Sequence, residues 1–296
     1  IPFYLMDVVQ PFYDQVVDPF IDCYLRGETP NPCASCNPLI RWKSLLKYAD
    51  TMGAQFVATG HYVRTEKDEA GNIHLFRGND PKKDQSYVIS RLSQASLRRS
   101  LFPLANYHKS QVRSISAEYQ LPSADKPDSQ DICFIGDGDY RAFLKRMRPA
   151  LIVPGIIRDQ SGKILGTHEG LPFYTIGQRK GLRIAAEKPL YVLSKNADTN
   201  ELVVGAKDDF SVNVVTAAEV NWISGQARCD SFNAFAQFRY QTTLVPVTVS
   251  AGFPDKLTIK ITEARDGIAV GQIVVLYSSD GEVIASGKIM KTERSE

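Results

Sequence analysis

The sequence has few cysteines and no long apolar segment. Its 296 residues include five cysteines, too few for the disulfide framework that holds small secreted domains together. No apolar segment approaches the twenty residues needed to cross a bilayer, and no signal-peptide pattern opens the chain. These absences argue against a secreted or membrane-spanning protein. They predict a protein that works in the reducing cytoplasm and has no membrane partner.

An excess of charge of one sign is absent too. The 35 basic and 33 acidic residues leave a formal net charge of +2. Such a balance does not require a nucleic-acid partner, and any basic surface must be local. No internal repeat or low-complexity segment occurs. The length allows two or three domains, each with its own core.

The pattern of secondary structure changes near Pro149. Before it, helical segments alternate with short apolar strands, as in α/β proteins, where ligands bind at the carboxyl ends of strands. After it, short β-rich segments are separated by turn signals, and residues 212–296 alone could supply five or six strands of a small barrel. The sequence therefore predicts an α/β domain over 1–149, a small central β-rich domain over 150–211 and a C-terminal β-barrel over 212–296.

The segment T-P-N-P-C-A-S-C-N, residues 29–37, contains two of the five cysteines. Its prolines and asparagines predict a stiff loop. Asn37 suits an N-cap and Pro38 a first helical position, so Cys36 is expected just before a helix N-terminus. Because the helix dipole favours a thiolate there, Cys36 is a candidate nucleophile.

Three thiols, Cys33, Cys36 and Cys133, could act together. A structural zinc site prefers four ligands, and no second Cys-x-x-Cys occurs; His61 could be a fourth ligand or could contact a substrate. Three cysteines suit a four-iron cluster with one open iron, or a sulfur relay. A plainer interpretation makes Cys133 an apolar core residue, and Cys23 and Cys229 are predicted to be packing or surface residues.

Three further segments combine cations with polar or aromatic side chains. Lysines precede a predicted helix in K-K-D-Q-S-Y (82–87), glycines alternate with cations in 174–183, and Arg239, Tyr240 and Gln241 adjoin one another. They suit phosphate contacts, backbone binding to a polyanion, and stacking on an unpaired base, respectively. A solvated helix cap, an exposed turn and a surface strand would have the same residues.

Taken together, these motifs resemble the tRNA-specific 2-thiouridylases. The matching segments occur in the family's order over most of the chain: G-E-T-P-N-P (27–32), C-N (36–37), A-T-G-H-Y (58–62), K-D-Q-S-Y (83–87), I-C-F-I (132–135) and residues 174–182. The resemblance implies an ATP-pyrophosphatase domain of the adenine-nucleotide α-hydrolase type with a Rossmann-like fold. A small central domain and a C-terminal β-barrel would follow.

The resemblance also implies a reaction and its residues. ATP, with Mg²⁺, would adenylate the C2 oxygen of the wobble uridine of a tRNA so that AMP can leave. Cys133 would receive sulfur from a persulfide donor or relay protein, and Cys36 would release that sulfur, ending as a disulfide with Cys133. The implied contacts are Asn31, Pro32 and Cys33 with the flipped base, Gly60 with ATP, and His61, Lys83, Asp84, Gln85, Arg239, Tyr240 and Gln272 with tRNA.

Two departures from the family pattern alter these expectations. Cys33 replaces an aspartate common in the family; in some members this pattern is associated with a four-iron four-sulfur cluster, whose ligands here would be Cys33, Cys36 and Cys133. The family's phosphate loop, S-G-G-x-D-S, does not occur in the sequence. The expectation is therefore an N-terminally incomplete catalytic domain, inactive alone. The alternatives are a tRNA-binding fragment without catalysis and a structural protein with a metal on Cys33 and Cys36.

Overall fold

The predicted order of domains is confirmed by the computed structural model: an α/β region, a small β-rich region and a closed β-barrel. Cys229 lies outside the described residues. The ranges that the structure describes are 2–122, 124–125, 132–136, 138–206, 209, 211–228, 230–252 and 255–294.

The first helical stretch connects the α/β region with the central region. It consists of α1 (Val9–Phe12), a π-helical turn (Tyr13–Val17) and α2 (Asp18–Leu25). Gly27 follows with a left-handed φ of +80°, as is common after a helix C-terminus. The apolar side chains that this stretch buries are Val16, Val17, Phe20, Ile21, Cys23 and Tyr24. Most of them pack in one core with α8 (Tyr140–Met147) and the central sheet.

The second helical stretch contains both cysteines of the Cys-x-x-Cys. It consists of α3 (Pro32–Cys36), a π-helical turn (Asn37–Trp42) and α4 (Lys43–Thr51). Trp42 anchors it in the core, where the buried indole N–H donates to Ser100 Oγ at 2.6 Å. The stretch therefore has a fixed position on the first domain.

Short strands and helices complete the first domain. β1 (Val57–Ala58) pairs in parallel with β4 (Ser100–Leu101), and β2 (Val63–Lys67) forms a hairpin with β3 (Ile73–Arg77). The remaining helices are α5 (Ser86–Ile89), α6 (Gln94–Leu97) and α7 (Lys109–Glu118). Since β1 is parallel to β4, the turns after both strands, including Gly60, lie at the same edge.

The central region is a four-stranded sheet with the order β6-β5-β8-β7. Asp139 caps α8, because its carboxylate accepts from the backbone N–H groups of Arg141 and Ala142. The strands are β5 (Gly155–Asp159), β6 (Ile164–His168), β7 (Tyr191–Asn196) and β8 (Glu201–Gly205). Because α8 shares a core with this sheet, the boundary placed at residue 149 stays a prediction.

Six strands close the C-terminal barrel in the order β10-β11-β12-β9-β14-β13. All five residues of β13 are buried, which the alternation of side chains explains. Val274 and Leu276 point into the barrel, whereas Ile273, Val275 and Tyr277 pack on the first domain. The strands are β9 (Val212–Trp222), β10 (Ser231–Gln237), β11 (Val245–Gly252), β12 (Lys256–Arg265), β13 (Ile273–Tyr277) and β14 (Val283–Glu293).

Buried hydrogen bonds fix the barrel to the first domain. The Tyr87 hydroxyl donates to the Ile273 carbonyl at 2.7 Å, and Ser86 Oγ lies 3.0 Å from the Tyr277 hydroxyl. Such bonds have defined directions, so they set the orientation of the barrel as well as its contact. None of the helices in the described part of the chain is long and apolar enough to cross a bilayer.

Candidate active site

The cysteine helix begins earlier than the sequence predicts. Asn31 is the N-cap, since its Oδ1 accepts from the Ala34 N–H at 3.2 Å, and Pro32 takes the first helical position. Asn37 lies inside the helical stretch, where its side chain donates to the Cys33 and Val88 carbonyls at 3.1 and 3.2 Å. The prediction that Asn37 is the N-cap is therefore wrong, because Asn31-Pro32 supplies the same cap-and-proline signal earlier in the chain.

This register changes the expected state of Cys36. The residue lies at the end of α3, one turn beyond the first backbone N–H groups, so little of the dipole reaches it. Burial raises the pKa of the Cys36 thiol, the Arg41 guanidinium acts against that rise, and Cys133 adds to it. The expectation of a favoured thiolate is not met, because loss of hydration disfavours the charged form.

All three candidate cysteines come together in the fold. Cys33 and Cys133 are exposed and Cys36 is half-buried, and all three are free thiols. Although exposed, the Cys33 thiol has many neighbouring atoms, and its pKa is raised first by burial and then by the nearby Cys133 and Cys36. The interpretation of Cys133 as a core residue is therefore wrong. Two distant segments place their thiols within electrostatic range of each other.

The geometry gives no support to a site for a single metal ion. Within the described ranges, which include all three of these cysteines, no three His, Cys, Asp or Glu side chains are grouped so that they could hold a metal ion. His61, considered above as a fourth zinc ligand, lies beside the Arg41 guanidinium instead. The residues as placed do not fit a structural zinc ion. The iron–sulfur cluster on Cys33, Cys36 and Cys133 stays a prediction, because its ligands bind different irons and need not converge on one ion.

A loop of the barrel reaches the cysteine segment. Tyr240, after β10, lies with its ring 6.0 Å from the Tyr87 ring. Burial is the main cause that raises the pKa of Tyr240. The charges of Asp84 and Cys33 raise it further, so both residues lie close to the Tyr240 hydroxyl. Arg239 is exposed, and its charge acts to lower the pKa of Tyr87 against the effect of burial. The predicted pair of cation and aromatic ring therefore lies beside the predicted base-contacting loop.

Gln272 holds the same loop from the barrel side. Its Nε2 donates to the carbonyls of Thr29 and Pro30 at 3.1 and 3.2 Å, and the Thr29 N–H donates to the Val270 carbonyl at 2.8 Å. Gly271 has a φ of +92°, and a Cβ there would lie 2.9 Å from the Cβ of Glu28. Only glycine allows so close an approach, so this turn of the barrel fixes the entrance to α3.

His61 is a buried positioning group. Arg41 Nη1 lies 3.1 Å from its Nε2 and Thr59 Oγ1 lies 2.9 Å from its Nδ1. Because a guanidinium only donates, Nε2 accepts and Nδ1 carries the proton donated to Thr59. Burial first, and then the charge of Arg41, lowers the pKa of His61 to about 4. The ring is neutral at physiological pH and orients Arg41, a residue that the sequence analysis missed.

Asp84 and Gln85 are also engaged within the protein. The buried Asp84 carboxylate accepts from the N–H groups of Gly78 and Ser86 at 3.0 Å and from Arg77 Nε at 2.9 Å. Gln85 forms two hydrogen bonds with the backbone of Tyr62, both of 3.0 Å. The Gln85 N–H donates to the Tyr62 carbonyl, and Gln85 Oε1 accepts from the Tyr62 N–H. These side chains hold the turn that presents the half-buried Lys83.

The remaining predicted residues lie near the entrance to α3 and at the β1 edge. Gly60 is exposed just after β1, where an added Cβ would meet no atom closer than 3.6 Å. Pro32 is buried and Asn31 half-buried, and both line a cleft of about 140 Å³ between the first domain and the barrel. The segment 174–183 is a separate loop of the central region, folded on Gln178, whose side chain bonds to the Thr175 N–H and the Lys180 carbonyl.

Three family models match the chain one after another. Residues 1–137 match the family model described as the tRNA methyl transferase HUP domain, 141–206 the tRNA methyl transferase PRC-barrel domain, and 212–289 the aminomethyltransferase beta-barrel domain. These descriptions name methyl transfer, whereas the relatives below are named for thiolation. The exposed and half-buried thiols suit thiolation.

Three relatives illustrate the similarity, each named "tRNA-specific 2-thiouridylase MnmA". The protein of Carboxydothermus hydrogenoformans is 45% identical over 98% of this chain and 80% of its own length. Those of Natranaerobius thermophilus and Clostridioides difficile are 43% and 39% identical, again over 98% of this chain, and 79% and 80% of their own lengths. The chain belongs to the tRNA-specific 2-thiouridylase family.

Proposed function

We propose that this protein is a tRNA-uridine 2-sulfurtransferase that converts the wobble uridine of a tRNA to 2-thiouridine. The observation that carries the proposal is the convergence of Cys36 and Cys133, in a family member, beside the loop of Asn31 and Pro32. A pair of thiols from distant segments suits a reaction in which one carries sulfur and the other releases it. Membership of the family supports tRNA as the substrate.

The first step of the proposed reaction activates the base. The uracil C2 carbonyl is a poor electrophile because oxide is a poor leaving group. Its oxygen would attack the α-phosphorus of ATP and displace pyrophosphate, so that AMP becomes the leaving group. Gly60, exposed after β1, is the proposed contact with the nucleotide, because ligands of such folds bind at the carboxyl ends of strands.

The second step transfers sulfur from Cys133. A persulfide donor, which is a co-reactant of the proposal, leaves one sulfur atom on Cys133. The terminal sulfur attacks C2 and AMP leaves; the Cys36 thiolate then attacks the Cys133 Sγ. The electron pair of the sulfur–sulfur bond goes to the transferred sulfur, giving the thiocarbonyl and a Cys36–Cys133 disulfide. An external dithiol reduces that disulfide before the next cycle.

Arg41 has the position to assist this attack. It is the group that counteracts the rise in the Cys36 pKa, and neutral His61 holds it in place. A cation beside the thiol stabilises the thiolate that must form before attack. When a base fills the site and excludes water, this interaction becomes stronger.

The base would be bound between the two domains. A uridine inside the anticodon loop must leave its stack to be reached. Asn31, Pro32 and Cys33 are the proposed walls of its pocket, and Tyr240 is near enough to Cys33 to stack on an unpaired base. Arg239 and Lys83 are the proposed phosphate contacts, since the Arg239 side chain is exposed and the Lys83 side chain is half-buried, and cations of both kinds bind phosphates.

His61, Asp84, Gln85 and Gln272 fit a supporting role in this proposal. Each uses its polar side-chain atoms to hold a backbone segment or a neighbouring cation. We propose that they shape the tRNA surface and present Lys83, Arg41 and the base-contacting loop. Direct contact of these four with tRNA would then involve backbone atoms or the edges of their side chains.

A substitution of Cys33 distinguishes the persulfide relay from a mechanism that uses an iron–sulfur cluster. The relay predicts that Cys33→Ala keeps its activity and that protein purified without oxygen holds no iron. A cluster predicts stoichiometric iron and acid-labile sulfide in the parent protein, both absent from Cys33→Ala together with activity. We favour the relay because Cys36 and Cys133, the two thiols that it requires, lie within electrostatic range of each other.

Mass spectrometry of tRNA nucleosides tests the proposed function. The complete coding sequence is expressed in cells that lack their own 2-thiouridylase, and 2-thiouridine at the wobble position is compared with cells without the gene. Restored 2-thiouridine supports the proposal. Undiminished tRNA binding without 2-thiouridine would indicate a binding protein, and bound zinc with neither property would indicate a structural role.

A further inference from the structure

A wide groove lies beside Lys83, between the loop before α5 and the start of α7. Its volume is about 800 Å³. The residues that line it are Asp80, Pro81, Lys82, Lys83, His108, Lys109, Ser110 and Arg113. Four of these side chains are permanent cations, whereas one is a carboxylate. This is a local basic surface on a chain whose overall charge is nearly balanced.

Asp80 connects the two sides of the groove through hydrogen bonds. Its buried carboxylate accepts from the Lys82 N–H at 3.0 Å and from the Lys109 N–H at 2.9 Å. Those bonds, the one to Lys109 first, lower the pKa of Asp80. The Asp80 carboxylate thus links the loop of Lys82 and Lys83 to the first turn of α7. The N-terminus of that helix therefore already has an acceptor within the protein.

The cations lie on two facing elements. Lys109 and Arg113 are four residues apart on α7, so they lie on one face of the helix. Lys82, exposed, and Lys83, half-buried, come from the opposite loop. The Lys109 ammonium lies 6.0 Å from the centre of the Tyr62 ring, and the His108 ring lies 3.9 Å from Asp80. A polyanion in the groove would contact cations from both sides.

The groove continues toward the predicted active site. A second depression of about 320 Å³ shares Pro81 and Lys82 with it and extends over Gln241 and Thr242 of the barrel. Gln241 directly follows Tyr240, the barrel residue whose pKa responds to Cys33. The two depressions therefore adjoin at Pro81 and Lys82, and the second one brings the groove next to the barrel loop that contains Tyr240.

We infer that the groove between Lys82 and Arg113 binds backbone phosphates of the same tRNA whose uridine is modified. The inference rests on the proposed function for the identity of the RNA. Phosphates match the donor set, because lysine and arginine side chains bind them without reading a base. A groove of about 800 Å³ with cations on both walls suits a nucleic-acid strand rather than a single small anion.

The test compares two variants that each remove two charges. Lys109→Gln/Arg113→Gln changes the groove. Lys256→Gln/Lys260→Gln changes β12, which lies across the barrel from β13 and the first domain. The dissociation constant for unmodified tRNA is measured for each at several KCl concentrations. The groove variant is expected to bind at least about tenfold more weakly, and its slope of log affinity against log salt should be flatter by about 1 for each phosphate that is no longer neutralised.

Further measurements separate the alternatives. Lys82→Gln, on the other wall, should weaken binding and flatten the slope without touching α7. The KM for ATP should be unchanged in all variants; a rise confined to the groove variants would assign the site to the free nucleotide and overturn the inference. Equal losses of affinity in the groove and β12 variants, or none in either, would also overturn it. Failure of the proposed function would instead appear as absent 2-thiouridine with the parent protein.

Discussion

The cysteine segment and the Asp84–Gln85 segment differ in where their polar side chains point. The first leaves its thiols accessible, whereas the second bonds its side chains within the protein. In the cysteine segment, Cys33 is exposed and Cys36 half-buried, so both thiols can meet a substrate. In the second segment, the Asp84 carboxylate and the Gln85 amide bond to backbone groups of the same domain. A motif match selects both segments equally. Only the fold tells which one presents its side chains and which one supports the surface.

The difference has a physical origin. A thiol forms weak hydrogen bonds, so leaving it accessible costs the fold little. A buried carboxylate must be fully bonded, and Asp84 meets that demand with two backbone N–H groups and Arg77. The contrast implies that changes in the first segment affect chemistry, whereas changes in the second affect stability. Four sets of substitutions test this, in order of decreasing effect.

The largest effect is expected from the thiols. In the full-length enzyme, Cys36→Ser and Cys133→Ser should each abolish formation of 2-thiouridine, because a hydroxyl cannot carry or release persulfide sulfur at neutral pH. Affinity for tRNA and unfolding free energy should change little. Nucleoside mass spectrometry measures the formation of 2-thiouridine, a tRNA binding curve measures the affinity, and urea denaturation measures the free energy of unfolding. Cys229→Ser is the control and should be silent; substantial thiolation by either site variant would contradict the relay.

Asp84→Ala should act on stability. It leaves two backbone N–H groups and Arg77 without their acceptor, and we expect a loss of about 3 kcal/mol in the free energy of unfolding. Urea denaturation measures it, with the exposed Asp198→Ala as the matched control. A variant of unchanged stability that no longer binds tRNA would mean that Asp84 is a direct contact after all.

His61 should make stability depend on pH. Its folded pKa of about 4 lies below the ordinary 6.5, so the unfolded chain binds the proton more readily. The stabilisation is fully present above pH 6.5 and declines as the pH falls toward 4. From neutral pH down to one unit above the folded pKa, the loss should be about 2 kcal/mol. In His61→Gln, which can still accept from Arg41 and does not titrate, that part of the pH dependence should vanish; an unchanged profile would disprove the assignment.

Gln272→Ala should give the smallest effect. It removes two hydrogen bonds to the loop before α3. Because these bonds stabilise the ordered position of the loop by about 1 kcal/mol, the turnover number should fall about fivefold. Gln160→Ala, in an exposed turn of the central region, is the control. A loss of tRNA affinity with normal turnover at saturation would instead indicate direct contact between Gln272 and tRNA.

The sequence predicts the architecture better than it predicts the site. Alternation of helices and strands before Pro149 and short strands after it anticipate the three regions, because periodicity is a local property. The start of α3 is missed because two Asn-Pro signals, at residues 31–32 and 37–38, compete for one helix. Local rules rank such caps alike, and only packing decides between them.

Contacts between distant segments could not be predicted from spacing. Nothing in the sequence places Tyr240 beside Cys33, or Gln272 on the carbonyls of Thr29 and Pro30. Nor does it show that Arg41 pairs with His61, since the two belong to different elements. These contacts depend on the docking of the barrel and on the core around Trp42. The resemblance selects most of the residues involved and implies their ligands, but it does not give their contacts with one another.

The central claim is that Cys133 carries the sulfur and Cys36 releases it. Peptide mass spectrometry of the protein, incubated with a persulfide donor and then alkylated, tests this most directly. The account predicts one added sulfur atom on the Cys133 peptide, retained in Cys36→Ser, and a Cys36–Cys133 disulfide in the parent protein after one turnover with tRNA and ATP. Added sulfur on Cys33 or Cys36 with none on Cys133 would contradict it.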